Sequence, residues 1–545
     1  MQTQRSMTLT TWMVSAAIAL AGMTASGVTA AVEAGALPAG MQQFDAQVER
    51  VRKQFDVPGI AVAIVKDGKV VLERGYGVRE IGKPAPVQAD TLFAIGSNTK
   101  AFTAASLSIL ADEGKLSLDD KVIDHLPWFR MSDTYVTGEM RVRDLLAHRS
   151  GLSLGAGDLL YFPATSYTTE EVVQRLAKVP LKGGFRDRYA YDNILYAVAQ
   201  KLVEQASGMS YADFLQQRIF APVGMRGTRF NADHLQPGDV AAVAHAKYDF
   251  SKLRTVPPMT LSNNSGAAGI YSSAHDMALW MKVQLAGGAL ANGKPLFSPT
   301  RQREMWSMIT PISVPEPRLP ELAAARPNFA GYGEGWMVGD YRGHRMILHS
   351  GAMPGMLSRV TMLPDQKLGV VVLTNQESGE AFQAVTLEVL DAFLQAPPTD
   401  WTAAYAKAEG MAKDNAQASW KTHLDARAAR STPSLPLRSY AANYRDPWYG
   451  DVVIRQNGKR LRMQFSKTAQ LVGTLEHWQH DTFIVRWDDR SLNADAFVNF
   501  VLTPDGAVRE MRMEAISPLT DFSFDFQDLV LTPVAAGQPE QPGRK

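Results

Sequence analysis

The 545-residue sequence contains no cysteine. That excludes disulfides, thiolate-ligated zinc, iron–sulfur clusters and a lipoprotein anchor. Charge of one sign is not in excess either: 56 Lys and Arg stand against 55 Asp and Glu, a net +1. Such a balance gives no drive toward phosphate backbones, so nucleic acid is excluded as a partner. Apolar runs long enough for a membrane helix are missing. The N-terminal run Thr11–Met23, after Arg5, is too short to span a bilayer comfortably. With the small residues Val28-Thr-Ala30 behind it, it reads as a secretory signal peptide over 1–30. The expectation is an exported protein, periplasmic or secreted, with no membrane span.

What is present suits a large core. Hydrophobic residues make up 46% and charged residues 20%, and the length fits two or three domains. Met41, Phe44, Val48 and Val51 fall at helical spacing. Ile60–Val65, the turn Asp67-Gly68 and Val70–Gly75 read as a buried strand and its hairpin partner. Helices are expected over 97–113, 141–147, after the capping box Thr168-x-x-Glu171, over 194–206 and 210–219, and over 273–285. Residues 236–270 read as turn-rich surface, and the proline-rich 311–330 as a surface loop. Strands follow at 345–351, 360–363 and 368–375, and a closing helix at 382–394. The expected class is α/β, an antiparallel sheet flanked by helices, occupying 31–396. Residues 397–436 read as a helical linker. From 437 to 535 the period becomes two, with Asn457-Gly458 and Pro504-Asp-Gly506 turns. Some eight short strands, Phe522-x-Phe524-x-Phe526 near the end, predict a small antiparallel β-barrel. Residues 536–545 form a polar tail.

Chemistry concentrates in Gly96-Ser97-Asn-Thr-Lys100, at the head of the apolar run Ala101–Leu110. A spacing of three puts Ser97 and Lys100 on one helix face. A serine hydroxyl becomes a usable nucleophile when an adjacent amine is neutral and can take its proton. Two further patterns follow in order: Tyr191-x-Asn193, whose side chains point the same way in extended chain, and His349-Ser350-Gly351 at a strand end. Tyrosine can pass a proton, and asparagine can hold an amide. His148 lies just past a helix end and reads as a structural hydrogen-bonder, since a lysine base is already supplied. His477 and His480 lack a third ligand nearby and carry no metal assignment. Gly331-Tyr-Gly-Glu-Gly335 is a strand start, with no helix of phosphate-loop spacing behind it.

The three patterns together resemble the serine β-lactamase and penicillin-binding protein superfamily, in its class C-like branch of D-aminopeptidases, esterases and linearised-microcystin peptidases. Leu145–Leu152 and Ala267–Asp276 support the likeness, which covers roughly residues 40–395. The resemblance implies that Ser97 forms an acyl-enzyme and that Lys100 and Tyr191 share the base and acid work. It implies that Asn193 holds the substrate amide, with His349, Ser350 and Gly351 lining the binding edge. The backbone N–H groups of Ser97 and Ala352 would form the oxyanion hole. No metal or cofactor is called for. The third pattern departs from the Lys-Thr-Gly of β-lactamases: histidine is a weaker, pH-dependent cation. The barrel looks like the lipocalin-like modules found on some members. The expected activity is hydrolysis of amide bonds at D-residue sites in a small-molecule or short-peptide substrate. The alternatives are a carboxylesterase on short acyl esters, a β-lactamase, and a penicillin-recognising sensor with little turnover. The oligomeric state is left open.

Overall fold

A computed structural model describes residues 37–317 and 319–534. The expected signal peptide and polar tail lie outside the described residues. Helix α1 (Phe44–Gln54) is the first α-helix of the described residues, and strands β1 (Gly59–Lys66) and β2 (Lys69–Gly77) form the hairpin. Then come α2 (Thr99–Asp112), α3 (Leu195–Ser207) and α4 (Ala274–Leu285). Strands β3 (Thr310–Ile312), β4 (Ala330–Tyr332), β5 (Met337–Tyr341), β6 (His344–Met353), β7 (Met356–Leu363) and β8 (Leu368–Thr374) complete an eight-stranded antiparallel sheet ordered β2-β1-β8-β7-β6-β5-β4-β3. Helices α5 (Gly379–Leu394) and α6 (Trp401–Asp425) follow. The first and last thirds of this domain meet directly, because β1 pairs with β8 from Ile60↔Thr374 to Lys66↔Leu368.

The sheet is a middle layer, and its sequence shows why. A strand covered on both faces reads as a continuous apolar run. In β1, Ala61, Ala63 and Val65 join the core that holds α2 and α4, whereas Ile60, Val62 and Ile64 join the core that holds α1 and α5. Helix α2 lies deep inside its layer: every residue from Thr99 to Ala111 is buried. Phe102 stacks on Trp280 of α4 with ring centroids 4.2 Å apart.

The C-terminal eight strands, from Asn443–Asp446 to Thr532–Val534, follow one another around a nearly closed antiparallel barrel. An isolated antiparallel bridge between Met511 and Leu531 draws its two ends together. Its interior, including Tyr444, Phe465 and Trp487, is continuous with the apolar layer around α2.

Three local expectations are refined. The stretch read as a helical linker does hold a helix, the 25-residue α6, but one clamped at both ends rather than free. Trp401 and Tyr405 are buried against α5, and Trp401 Nε1 donates to Asp391 Oδ2 at 3.0 Å. Past the other end, Arg427 Nε donates to the barrel carbonyl of Trp478 at 2.8 Å. At 1.5 Å per residue the helix is a strut of roughly 37 Å. Second, 236–270 is not all surface: it holds a hairpin (Ala244–Tyr248, Lys252–Val256), and Asn263–Ala268 are buried beneath α3. Third, the Phe522–Phe526 run is not a strand but an irregular segment. Phe522 and Phe524 reach across to Tyr191 and Phe162, and Phe526 turns inward against Trp487. Among the described residues no helix is long and apolar enough to cross a membrane.

The Phe102–Trp280 stack ties α2 to α4, so Phe102→Ala should cost about 3–5 kcal/mol through lost burial and the cavity left behind. Urea unfolding followed by tryptophan fluorescence will read this as an earlier transition.

Candidate active site

The Ser97 turn is built by a close approach of two backbones. Gly96–Asn98 form a 3₁₀ turn that runs into α2, leaving Ser97 half-buried at its mouth. Strand β6 pairs with β5 only as far as Leu348, and from His349 to Met353 it keeps β7 alone. That freed side meets the turn. A Cβ on Gly351 would lie 1.9 Å from the Ile95 carbonyl oxygen and 2.7 Å from Ser97 N. One on Gly96, whose φ is +50°, would lie 2.5 Å from Ala352 N. Both glycines are required by contact, and together they bring the Ser97 turn and the Gly351-Ala352 backbone of β6 against one another.

In the first turn of α2, one turn after Ser97, Lys100 is wholly buried. Its Nζ stands 2.8 Å from Ser97 Oγ, 2.7 Å from Asn193 Oδ1 and 3.1 Å from the Ala267 carbonyl oxygen. None of these partners carries a charge. Burial therefore pulls the amine down to about 7, against the opposing pull of the Asp158 and Asp192 carboxylates. A neutral amine fits the arrangement: two N–H bonds go to Asn193 and Ala267, and the lone pair faces the Ser97 hydroxyl. Tyr191 hydrogen-bonds Ser97, and its ring centroid is 4.9 Å from Lys100 Nζ. Burial raises the phenol far above its ordinary value, so it stays protonated.

Asn193 sits differently from the expectation. Both ends of its amide face protein: Oδ1 accepts from Lys100, and Nδ2 donates to Asp158 Oδ2 at 2.8 Å. His349 is buried and uncharged. Its Nδ1 donates to its neighbour's carbonyl, Ser350 O, at 2.6 Å, and its Nε2 accepts from the Tyr332 hydroxyl at 2.7 Å. Burial and the Lys100 amine hold it down to about 3, so it is no cation at neutral pH. His148 is structural: Nδ1 accepts from Asp192 N at 3.1 Å, and its ring packs 4.1 Å from that of Tyr191. His477 is 2.9 Å from the His480 carbonyl, across a hairpin turn far along the barrel.

The Ser97–Lys100–Tyr191–Asn193 cluster and the His349–Ala352 edge thus come together in one place. The family model for beta-lactamase matches residues 44–393, about two-thirds of the sequence. The chain belongs to the beta-lactamase family. A second model, a domain of unknown function (DUF3471), matches residues 426–533. The unguisins hydrolase ungD of Aspergillus violaceofuscus is 28% identical over 507 residues, covering 86% of each chain. The octameric penicillin-binding protein homologue from Pyrococcus abyssi has a TM-score of 0.56 at 21% identity and covers 90% of this chain and 99% of its own. SurE, solved with D-Leu, has a TM-score of 0.51 at 18% identity and covers 91% and 100%. These two share the fold.

For this beta-lactamase-family chain, several site residues escaped the sequence reading. Asp158 follows two glycines, Gly155 and Gly157, a punctuation that could have marked it. Ala267 acts through its carbonyl, which no side-chain pattern reveals. Tyr332 lies in the glycine-rich stretch read as a strand start. Phe522 and Ser523 belong to the other domain.

Gly351→Ala should push β6 off the Ser97 turn and slow labelling of Ser97 by an aryl phosphonate by about 100-fold or more. An unchanged labelling rate in a folded variant, checked by circular dichroism, would show that the close approach is dispensable.

Proposed function

We propose that this family member is a serine hydrolase that works through an acyl-enzyme at Ser97, cleaving amide bonds at D-residue sites in small or linear peptides. The observation that carries the reading is the buried Lys100 amine, 2.8 Å from Ser97 Oγ and brought by burial down to about 7, where it can be neutral. Ser97 Oγ attacks the acyl carbon as its proton moves to Lys100. The negative charge that develops on the carbonyl oxygen is received by the N–H groups of Ser97 and Ala352. Tyr191, still protonated, relays a proton to the leaving amine, the C–N bond breaks, and an ester to Ser97 remains. Water then adds to that ester, Lys100 takes its proton, and the acid departs with Ser97 restored.

Two observations support the amide and D-residue part. The ungD relative is named a hydrolase of unguisins, and SurE was solved with D-Leu. A neutral His349 disfavours substrates whose carboxylate needs a fixed cation at that edge, which counts against β-lactams. Export is part of the proposal and rests on the sequence of residues 1–30.

The test uses protein from residue 31 onward, with Ser97→Ala beside it. Peptides with L- or D-alanine at the scissile bond, a short-chain aryl ester and a chromogenic cephalosporin are compared. Cleavage confined to the D-alanine peptide and lost by about 10⁴-fold or more in Ser97→Ala is expected. Fast ester turnover without peptide cleavage would make it an esterase, and no turnover of any probe would overturn the catalytic reading. The base must be neutral to accept a proton, so kcat/KM for the cleaved peptide should rise as pH climbs through about 7 and level off above it. An acid limb far from 7 would remove Lys100 from the role of base.

A further inference from the structure

The site does not end at the α/β domain. The loop at 521–528, between the last two barrel strands, lies on the segment that carries Asp158. Ser523 Oγ donates to Asp158 Oδ2 at 2.8 Å, the same oxygen that receives Asn193 Nδ2 at 2.8 Å. Asp525 accepts from the backbone N–H of Gly157 at 2.7 Å and of Leu159 at 3.2 Å, so the turn bearing Asp158 is held by the barrel. Asp528 receives Ser153 Oγ at 3.3 Å and pairs with Lys182. Phe522 sets its ring edge-on to that of Tyr191, with centroids 6.0 Å apart. An unbroken line of hydrogen bonds thus runs from the barrel to the nucleophile: Ser523, Asp158, Asn193, Lys100, Ser97.

We infer that the 521–528 loop is a positioning element of the active site, with Ser523 acting through Asp158 and Asn193 to fix Lys100 against Ser97, so that hydrolysis by the α/β domain depends on the barrel. The inference rests on the proposed role of Ser97 and Lys100. The physical ground is the freedom Asn193 would otherwise have. A side-chain amide has two ends and rotates; one end held by a buried carboxylate leaves the other aimed at Lys100. Asp158 is itself fully buried, and a carboxylate there needs donors. Ser523 is one of the two it has on Oδ2, and it comes from the other domain.

The groups facing Lys100 set the sign of the test. Asp158 and Asp192 favour its charged form, and the Tyr191 and Tyr196 rings lie 4.9 and 5.1 Å from Nζ. His148 and His349 are neutral. On its far side Asp158 meets Tyr161 and Asp525. Burial raises Asp158 to about 7, and the Ser523 bond opposes that rise. Removing the bond therefore leaves Asp158 less ionised near neutrality, and Lys100 loses part of the charge that sustains its ammonium form. Ser523→Ala and Asp158→Asn should both move Lys100 to lower pH.

The experiment follows Lys100 directly in the full chain. Protein carrying [6-¹³C]lysine is titrated by NMR, the Lys100 resonance being assigned by its loss in Lys100→Arg. The pH dependence of peptide cleavage is measured on the same samples. The expected result is a downward shift of the Lys100 midpoint and of the acid limb by about half a unit in both variants. kcat should fall between about 10-fold and 100-fold, with KM changed less. If Ser523→Ala keeps the parent's midpoint, acid limb and kcat while Ser97-dependent cleavage persists, the inference is overturned, whatever Asp158→Asn does. If the midpoint moves but the parent shows no Ser97-dependent turnover, the coupling stands and the hydrolase reading falls. Should Ser523→Ala fail to fold, Ser523→Gly, which also lacks the hydroxyl donor, gives the same readout.

Discussion

A lysine amine buried without a charged contact is the constraint on which the rest of this structure depends. An ammonium ion in an apolar layer is costly, and the chain meets that cost by lowering the amine's proton affinity rather than by pairing it with a carboxylate. Lys100 gets three uncharged oxygens instead: a hydroxyl, an amide and a backbone carbonyl. Each comes from a different part of the chain. The 3₁₀ turn before α2 supplies the serine, the Tyr191-x-Asn193 stretch leads into α3, and Ala267 arrives on a turn pressed beneath α3. The depth of α2 follows from the same need. If the helix lay at the surface, water would solvate the ammonium and the base would be lost at neutral pH.

The second half of the site comes from the sheet. Strand β6 loses β5 as a partner after Leu348, and its free side approaches the Ser97 turn so closely that only glycine fits at 96 and 351. Backbone nitrogens, unlike side chains, cannot rotate away, so this contact holds Ala352 N beside the Gly96 turn at little entropic cost. The same edge carries His349, which the local packing turns into a neutral hydrogen-bonding residue. Its proton is spoken for by Ser350 O, and its lone pair by Tyr332.

The barrel is joined to the α/β domain in two ways that reinforce one another. Helix α6 fixes distance and direction, packed by Trp401 and Tyr405 at one end and followed by the Arg427 contact with the barrel at the other. The 521–528 loop fixes the fine placement beside Asp158 and Tyr191. Burial runs without a break from the barrel interior to α2, so the two domains share one apolar layer. An appended module with a separate core would need neither the strut nor the buried carboxylates of the loop.

How much of this was legible beforehand differs element by element. Ile60–Val65 announced a strand buried on both faces, and Asn457-Gly458 a hairpin, because period and turn chemistry are local. Ser97 and Lys100 were legible together since a helix converts a spacing of three into proximity. The alternating Phe522-x-Phe524-x-Phe526 misled, because that pattern marks a two-sided environment and does not say whether the two sides belong to one sheet or to two domains. The charge state of His349, the turning of Asn193 toward Asp158, the carbonyl of Ala267 and the reach of Ser523 across 365 positions were decided by the tertiary structure alone. Sequence by itself determined the periodic elements and the short-range pair, which depend on neighbours along the chain. Desolvation and hydrogen-bond choice depend on neighbours in space, and only the packed fold supplies those.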